Sequence, residues 1–207
     1  MQPTLDEGAQ IGLRVYRGDT VETVYHGSPV GGLSKITPHV STHGIGYVYA
    51  TGDIGLATLF TQRWNDFIFN VSYGDGHVLE ITERYDGALW QIYKGKGGFI
   101  YLLDARGFAG NATRFDGEVV CRQTQAVLGC HPVENIYERL LQMQEMGALR
   151  IYRYPARPGY IPADDCDLVD LAVEIFRSTG NLDAVHYCIR KHPGLESRLM
   201  QRLPPAT

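Results

Sequence analysis

The sequence predicts an α+β fold, a strand-rich body followed by a helical C-terminal appendage. Two observations predict it. Up to about residue 154, short runs of β-forming residues alternate with glycine-rich breaks, and the 13 tyrosines and 24 glycines suit sheets and loops better than a helical bundle. Beyond Pro155, Pro158, Gly159 and Pro162, which read as a linker, apolar residues recur at helical spacing. The expected division is 1–157 for the body and 158–207 for the helical extension.

The elements follow in order. Val21 to Tyr25 alternates as a strand and is expected to end at a His26-Gly27 turn, with Pro29 to Ser34 as a break. Tyr47 to Thr51 is a second strand. Asp53 then caps a helix carrying Ile54, Ala57, Leu59 and Phe60. Phe67 to Ser72, His77 to Thr82, Gly98 to Leu103 and Glu118 to Leu128 read as strands, the third a buried apolar run. Tyr137 to Met146 reads as a helix and Leu149 to Tyr154 as the last strand. In the extension, Asp164 or Asp165 caps a helix whose shared face is Leu168, Leu171, Ala172, Ile175 and Phe176. Gly180-Asn181 breaks it, and two short helices fill Leu182 to Leu203 around His192-Pro193.

Composition narrows the function classes. The hydrophobic share is 44% and the charged share 20%, ordinary values for a soluble globular protein. A net charge of −4 supplies no basic field for nucleic acid, which counts against such a partner. No apolar run is long enough to cross a bilayer. The acidic start, Met1 to Glu7, has no signal-peptide pattern, so the expected location is the cytoplasm, including that of a host cell if the protein is delivered. The four cysteines lack paired spacing, and reduced thiols are expected. His186, Cys188, His192 and Cys166 can be imagined as ligands, but structural zinc sites space theirs more tightly; no metal is expected.

Three short segments carry candidate chemistry. In His26-Gly27-Ser28, glycine admits a close backbone approach to a planar carboxamide, histidine adds a ring donor or acceptor, and serine adds a hydroxyl. The plain alternative is a turn tied by His26. In Tyr47-Val48-Tyr49-Ala50-Thr51, Tyr49 with Phe60 eleven residues on offers aromatic faces to a flat cation, although Phe60 alone reads as core packing. Glu118 opens an apolar strand. A fixed carboxylate there stabilises the oxocarbenium-like charge that develops when a ribosyl bond breaks, or it is simply a solvated strand end.

Together these segments resemble the His–Tyr–Glu ADP-ribosyltransferases, the class of diphtheria toxin and the poly(ADP-ribose) polymerases. Tyr25-His26-Gly27-Ser28 is similar to its His-Gly motif, Tyr49-Ala50-Thr51 with Ala57 and Phe60 to its Tyr-x-Thr segment, and Gly117-Glu118-Val119-Val120 to its glutamate strand. The likeness spans about residues 20 to 120. It implies a split antiparallel sheet and NAD as substrate. Gly27, with help from Ser28, would hold the nicotinamide amide, His26 would bond ribose hydroxyls, and Tyr49 and Phe60 would enclose the pyridinium. Tyr47 and Thr51 would complete the NAD-binding set, Tyr47 as an alternative to Tyr49. Glu118 would bond the 2′-hydroxyl of the nicotinamide ribose.

There are departures. Phe60 stands where the family usually has a second tyrosine. Asp116 stands where arginine-modifying relatives place Glu or Gln, and Asp116-Gly117 reads instead as a turn. The expected activity is transfer of ADP-ribose to an unidentified macromolecular or small-molecule acceptor. The alternatives are an NAD glycohydrolase, a non-catalytic NAD- or partner-binding module, and an RNA 2′-phosphotransferase, the last disfavoured by the acidic balance.

Overall fold

A computed structural model describes residues 22–40, 44–113 and 115–203. Val21 and the acidic start therefore lie outside the described residues. In chain order the elements are β1 (Thr23–Ser28), β2 (Lys35–Ile36), β3 (His39–Val40), β4 (Gly46–Thr51), α1 (Ile54–Leu59), β5 (Phe69–Tyr73), β6 (Leu79–Glu83), α2 (Ala88–Tyr93), β7 (Gly98–Asp104) and β8 (Ala109–Gly110). They continue with β9 (Glu118–Cys121), β10 (Gln125–Val133), α3 (Ile136–Glu145), β11 (Leu149–Tyr152), α4 (Cys166–Thr179), α5 (Asp183–Lys191) and α6 (Glu196–Arg202). The protein is α+β with antiparallel sheet. Among the described residues, no helix is long and apolar enough to cross a membrane.

The chain forms two compact units, one from residues up to Arg63 with Tyr93–Leu149, the other from Trp64–Ile92 with Arg150 onward. The C-terminal helices group with β5 and β6 because Phe67, ahead of β5, is buried with Leu168, Val169, Val173, Val185 and Leu199.

In the first unit the strands run β2-β10-β7-β1-β4-β9-β8, and β3 pairs β4. One face buries Val24, Val48, Ala50, Tyr101, Leu103 and Cys121. Such period-two burial is what a sheet with one covered face requires. The Tyr101 hydroxyl donates to the Val30 carbonyl at 2.7 Å and accepts the Leu33 N–H at 3.2 Å. It thereby fixes the glycine-rich break after β1 to the sheet. The expected single strand from Glu118 to Leu128 is instead β9 and β10, separated at Arg122 to Thr124.

In the second unit, β6 is buried along its whole length, including Glu80 and Glu83, and Arg84 follows at 2% exposure. Charges at such depth need partners. Glu80 accepts from Arg150 at 2.7 Å, Tyr152 at 3.2 Å and Tyr160 at 2.9 Å. Glu83 accepts the Leu89 N–H at 2.8 Å, which caps α2, and the Tyr154 N–H at 3.2 Å. Arg84 pairs with Asp167 at 2.7 Å and Asp165 at 3.3 Å. On α4 the fully buried residues are Leu168, Val169, Ala172 and Val173, while Leu171, Ile175 and Phe176 are only partly buried. The buried stripe is thus rotated from the expected one. Asp165 precedes α4 without a side-chain cap, and Asp164 accepts the Cys166 N–H at 3.3 Å.

Candidate functional site

The site residues named from sequence all fall in the first unit. The structure corrects the first of them. His26 and Gly27 are not a turn: β1 runs through them to Ser28, in register with β7 as His26↔Tyr101 and Gly27↔Ile100. On its other side β1 has one described pair with β4, Tyr25↔Thr51. Continued pairing would bring His26 opposite Ala50 and Gly27 opposite Tyr49. Instead the His26 Nδ1 bonds the Tyr49 carbonyl at 2.7 Å. A side chain takes the acceptor that a backbone N–H would otherwise use, just past the last rung between the two strands.

That bond also sets the chemistry of His26. A carbonyl oxygen can only accept, so Nδ1 carries the hydrogen. Burial pushes the imidazole below its ordinary pKa, the Tyr49 carbonyl raises it, and nearby His39 lowers it. The neutral ring therefore keeps a lone pair on Nε2, ready to accept from a hydroxyl.

Gly27 has two roles on its two sides. A Cβ there would lie 2.0 Å from the Ala57 carbonyl oxygen and 2.9 Å from the Thr61 nitrogen. Its missing side chain is thus filled by the end of α1, a packing reason for glycine that the sequence did not reveal. Its peptide groups face elsewhere. The Ala105 N–H bonds the Glu22 carbonyl at 2.8 Å across the β1–β7 ladder. Groups alternate along an antiparallel strand, so Tyr25 and Gly27 turn theirs toward β4. Gly27 does so beyond the Tyr25↔Thr51 pair.

The hydroxyls of Ser28 and Thr51 are committed locally. Ser28 Oγ accepts the Val30 N–H at 3.1 Å and Thr51 Oγ1 accepts the Asp53 N–H at 3.0 Å; both residues are buried. Each shapes the chain leaving its strand. Asp53 caps α1 as expected, accepting the Gly55 N–H at 2.7 Å and the Leu56 N–H at 3.1 Å.

Tyr49 and Glu118 lie on one face. In the β4–β9 register Thr51 opposes Glu118 and Tyr49 opposes Val120. Opposed residues share a face, which makes Tyr49 and Glu118 diagonal neighbours, roughly 7–8 Å apart at the backbone. The Tyr49 ring meets Tyr47 edge-on with centroids 6.0 Å apart and His39 at 5.4 Å. Phe60, which closes α1, packs its ring 5.9 Å from Phe115. Phe115 and His39 were not singled out from sequence, because only the fold brings them beside Phe60 and Tyr49. The turn reading of Asp116-Gly117 agrees with the structure: the Glu118 N–H bonds the Phe115 carbonyl at 3.3 Å and Gly117 has φ 79°.

The four imagined metal ligands do not assemble; among the described residues no group of three or more His, Cys, Asp or Glu could hold an ion. His192 Nε2 bonds the Phe67 carbonyl at 2.8 Å, and burial pushes the Cys188 thiol up to about 11. Burial likewise holds the His192 imidazole below its ordinary value.

These two depressed histidines fix a pH dependence. The unfolded chain takes up their protons first as pH falls below about 6.5, so stability is complete above that value and declines below it. Thermal melts from about pH 7.5 to 5.5 should show a falling midpoint. His26→Asn, which keeps an N–H for the Tyr49 carbonyl, should flatten the decline; an unchanged slope would deny His26 its share.

Fold and site together define an α+β protein whose antiparallel sheet carries a histidine bridging two partly paired strands, with an aromatic and a carboxylate on one face. No family model, curated protein or solved structure matches the chain.

Proposed function

We propose that this chain is an ADP-ribosyltransferase of the His–Tyr–Glu kind, binding NAD and breaking its nicotinamide–ribose bond. The observation that carries the reading is the His26 Nδ1 bond to the Tyr49 carbonyl, beside the last β1–β4 pair, with Tyr49 and Glu118 sharing a face of β4 and β9. It supports the reading because it gives each recognised residue a task that its chemistry suits.

In this reading the sheet is split at β1 and β4, and the nicotinamide ribosyl half of NAD enters there. The Gly27 peptide groups hold the carboxamide. His26 Nε2 accepts a ribose hydroxyl. Tyr49 lays its face on the pyridinium, and Phe60, with Phe115 beside it, borders the same site. Glu118 accepts the 2′-hydroxyl of the nicotinamide ribose.

The C1′–N bond breaks with its electron pair going to nicotinamide, which leaves as a neutral ring. Positive charge grows on the ribose, and the Glu118 carboxylate opposes it at fixed position. The acceptor nucleophile then bonds C1′ and releases its proton.

Calorimetric titration with NAD tests the binding half of the proposal. Tyr49→Ala should weaken NAD by roughly 1–2 kcal/mol, the worth of one aromatic stack on a cation. Unchanged affinity in a folded variant would move the site away from β4.

A further inference from the structure

Resting on that reading, we infer that Arg122, stacked on Tyr47 beside His39, is the seat of the dinucleotide's pyrophosphate. His39 opposes Tyr47 across β3 and β4, and Thr51 opposes Glu118 across β4 and β9. Opposed residues share a face, as do alternate residues along a strand. His39, Tyr47, Tyr49 and Glu118 therefore stand on one face. The Arg122 guanidinium, one residue past β9, joins them at 5.7 Å from the Tyr47 ring centroid.

The charges on this face come in a definite order. Glu118 is at one end. Arg122 is four residues on, about 13 Å along an extended chain, with His39 beside the aromatic pair between them. NAD has the complementary order: a ribose that becomes cationic, then a short ester link to two phosphates. A phosphate group one ribose from the bond that breaks lies nearer than that backbone distance, and the long Glu118 and Arg122 side chains make up the difference.

The guanidinium is also suited to the task. Its planar fork donates two parallel hydrogen bonds to phosphate oxygens, which an ammonium cannot match. Tyr47 is only 7% exposed, so it offers a fixed platform that holds Arg122 before the ligand arrives, while Arg122 itself is exposed.

Titration of the full chain with NAD and with ADP separates the two ends of the site. ADP keeps the pyrophosphate and lacks the nicotinamide riboside. Arg122→Gln should weaken NAD and ADP alike, by about tenfold, and reduce the salt dependence of both. Arg122→Lys should recover part of the loss, and Lys35→Gln, the same charge change on β2, should cause no loss. Tyr49→Ala should weaken NAD and leave ADP unchanged.

ADP affinity unaltered by Arg122→Gln would overturn the pyrophosphate seat. If Tyr49→Ala still weakened NAD, the reading of the nicotinamide end would survive that failure. Arg122-dependent binding of ADP by a chain that never releases nicotinamide would uphold the seat and sink the reaction. No binding of either nucleotide would overturn both.

Discussion

Gly27→Ala is expected to lower the thermal midpoint by about 6–12 °C, while Gly52→Ala leaves it within about 1 °C. The difference lies in what each new methyl group meets. At Gly27 a Cβ falls 2.0 Å from the Ala57 carbonyl oxygen and 3.0 Å from the Phe60 carbonyl carbon, and both are backbone atoms. No rotamer change relieves that overlap, so α1 or β1 must shift. Overpacking ordinarily costs about 1–3 kcal/mol, and rigid backbone on the other side places this case at or above the upper end. At Gly52 nothing lies within 4 Å. Far-UV circular dichroism melts of both variants check it, and a Gly27→Ala protein as stable as the parent would contradict the packing of α1 on β1.

Glu118→Gln should keep NAD affinity nearly unchanged and lower nicotinamide release by a hundredfold or more. Glutamine preserves shape and still accepts a hydrogen bond from the 2′-hydroxyl, so the ground state loses little. What it removes is the negative charge opposite a ribose that becomes cationic only as the bond breaks. Removing one preorganised electrostatic group costs about 10²–10³ in turnover, and that loss belongs in kcat rather than in binding. Parallel losses of affinity and turnover would assign Glu118 a ground-state role, and no loss of turnover would remove it from the site.

Much of the fold was legible because its longer elements carry strong patterns. The apolar run Gly98 to Leu103 became β7, Asp53 capped α1, and Gly180 ended α4 with φ 69°. Short or borrowed features were not legible. Helix α2 is six residues long, too brief for a helical period, and its cap comes from Glu83, five residues ahead of its start. The residues from Glu118 to Leu128 read as one strand because the break at Arg122 to Thr124 carries neither Gly nor Pro. Burial of Glu80, Glu83 and Arg84 contradicts their residue types until partners distant in sequence are placed.

The site shows the same division. Residue types named His26, Tyr49 and Glu118, and the structure puts His26 in contact with Tyr49 and Tyr49 on the face of Glu118. The contact itself, an imidazole standing in for a ladder hydrogen bond, is a tertiary fact with no local pattern. Phe115 and His39 entered for the same reason, through the fold's pairing of Phe115 with Phe60 and of His39 with Tyr49. Gly27 was read as glycine for a ligand's sake, whereas its Cβ side is occupied by α1.

Nicotinamide release from NAD by the purified protein, with and without cell lysate, tests the central claim most directly. The proposal predicts release that rises when lysate supplies an acceptor, with the ADP-ribose label moving onto it. Release at the same rate without lysate would assign water as the acceptor and make the protein a glycohydrolase. No release at saturating NAD, in either condition, would contradict the account.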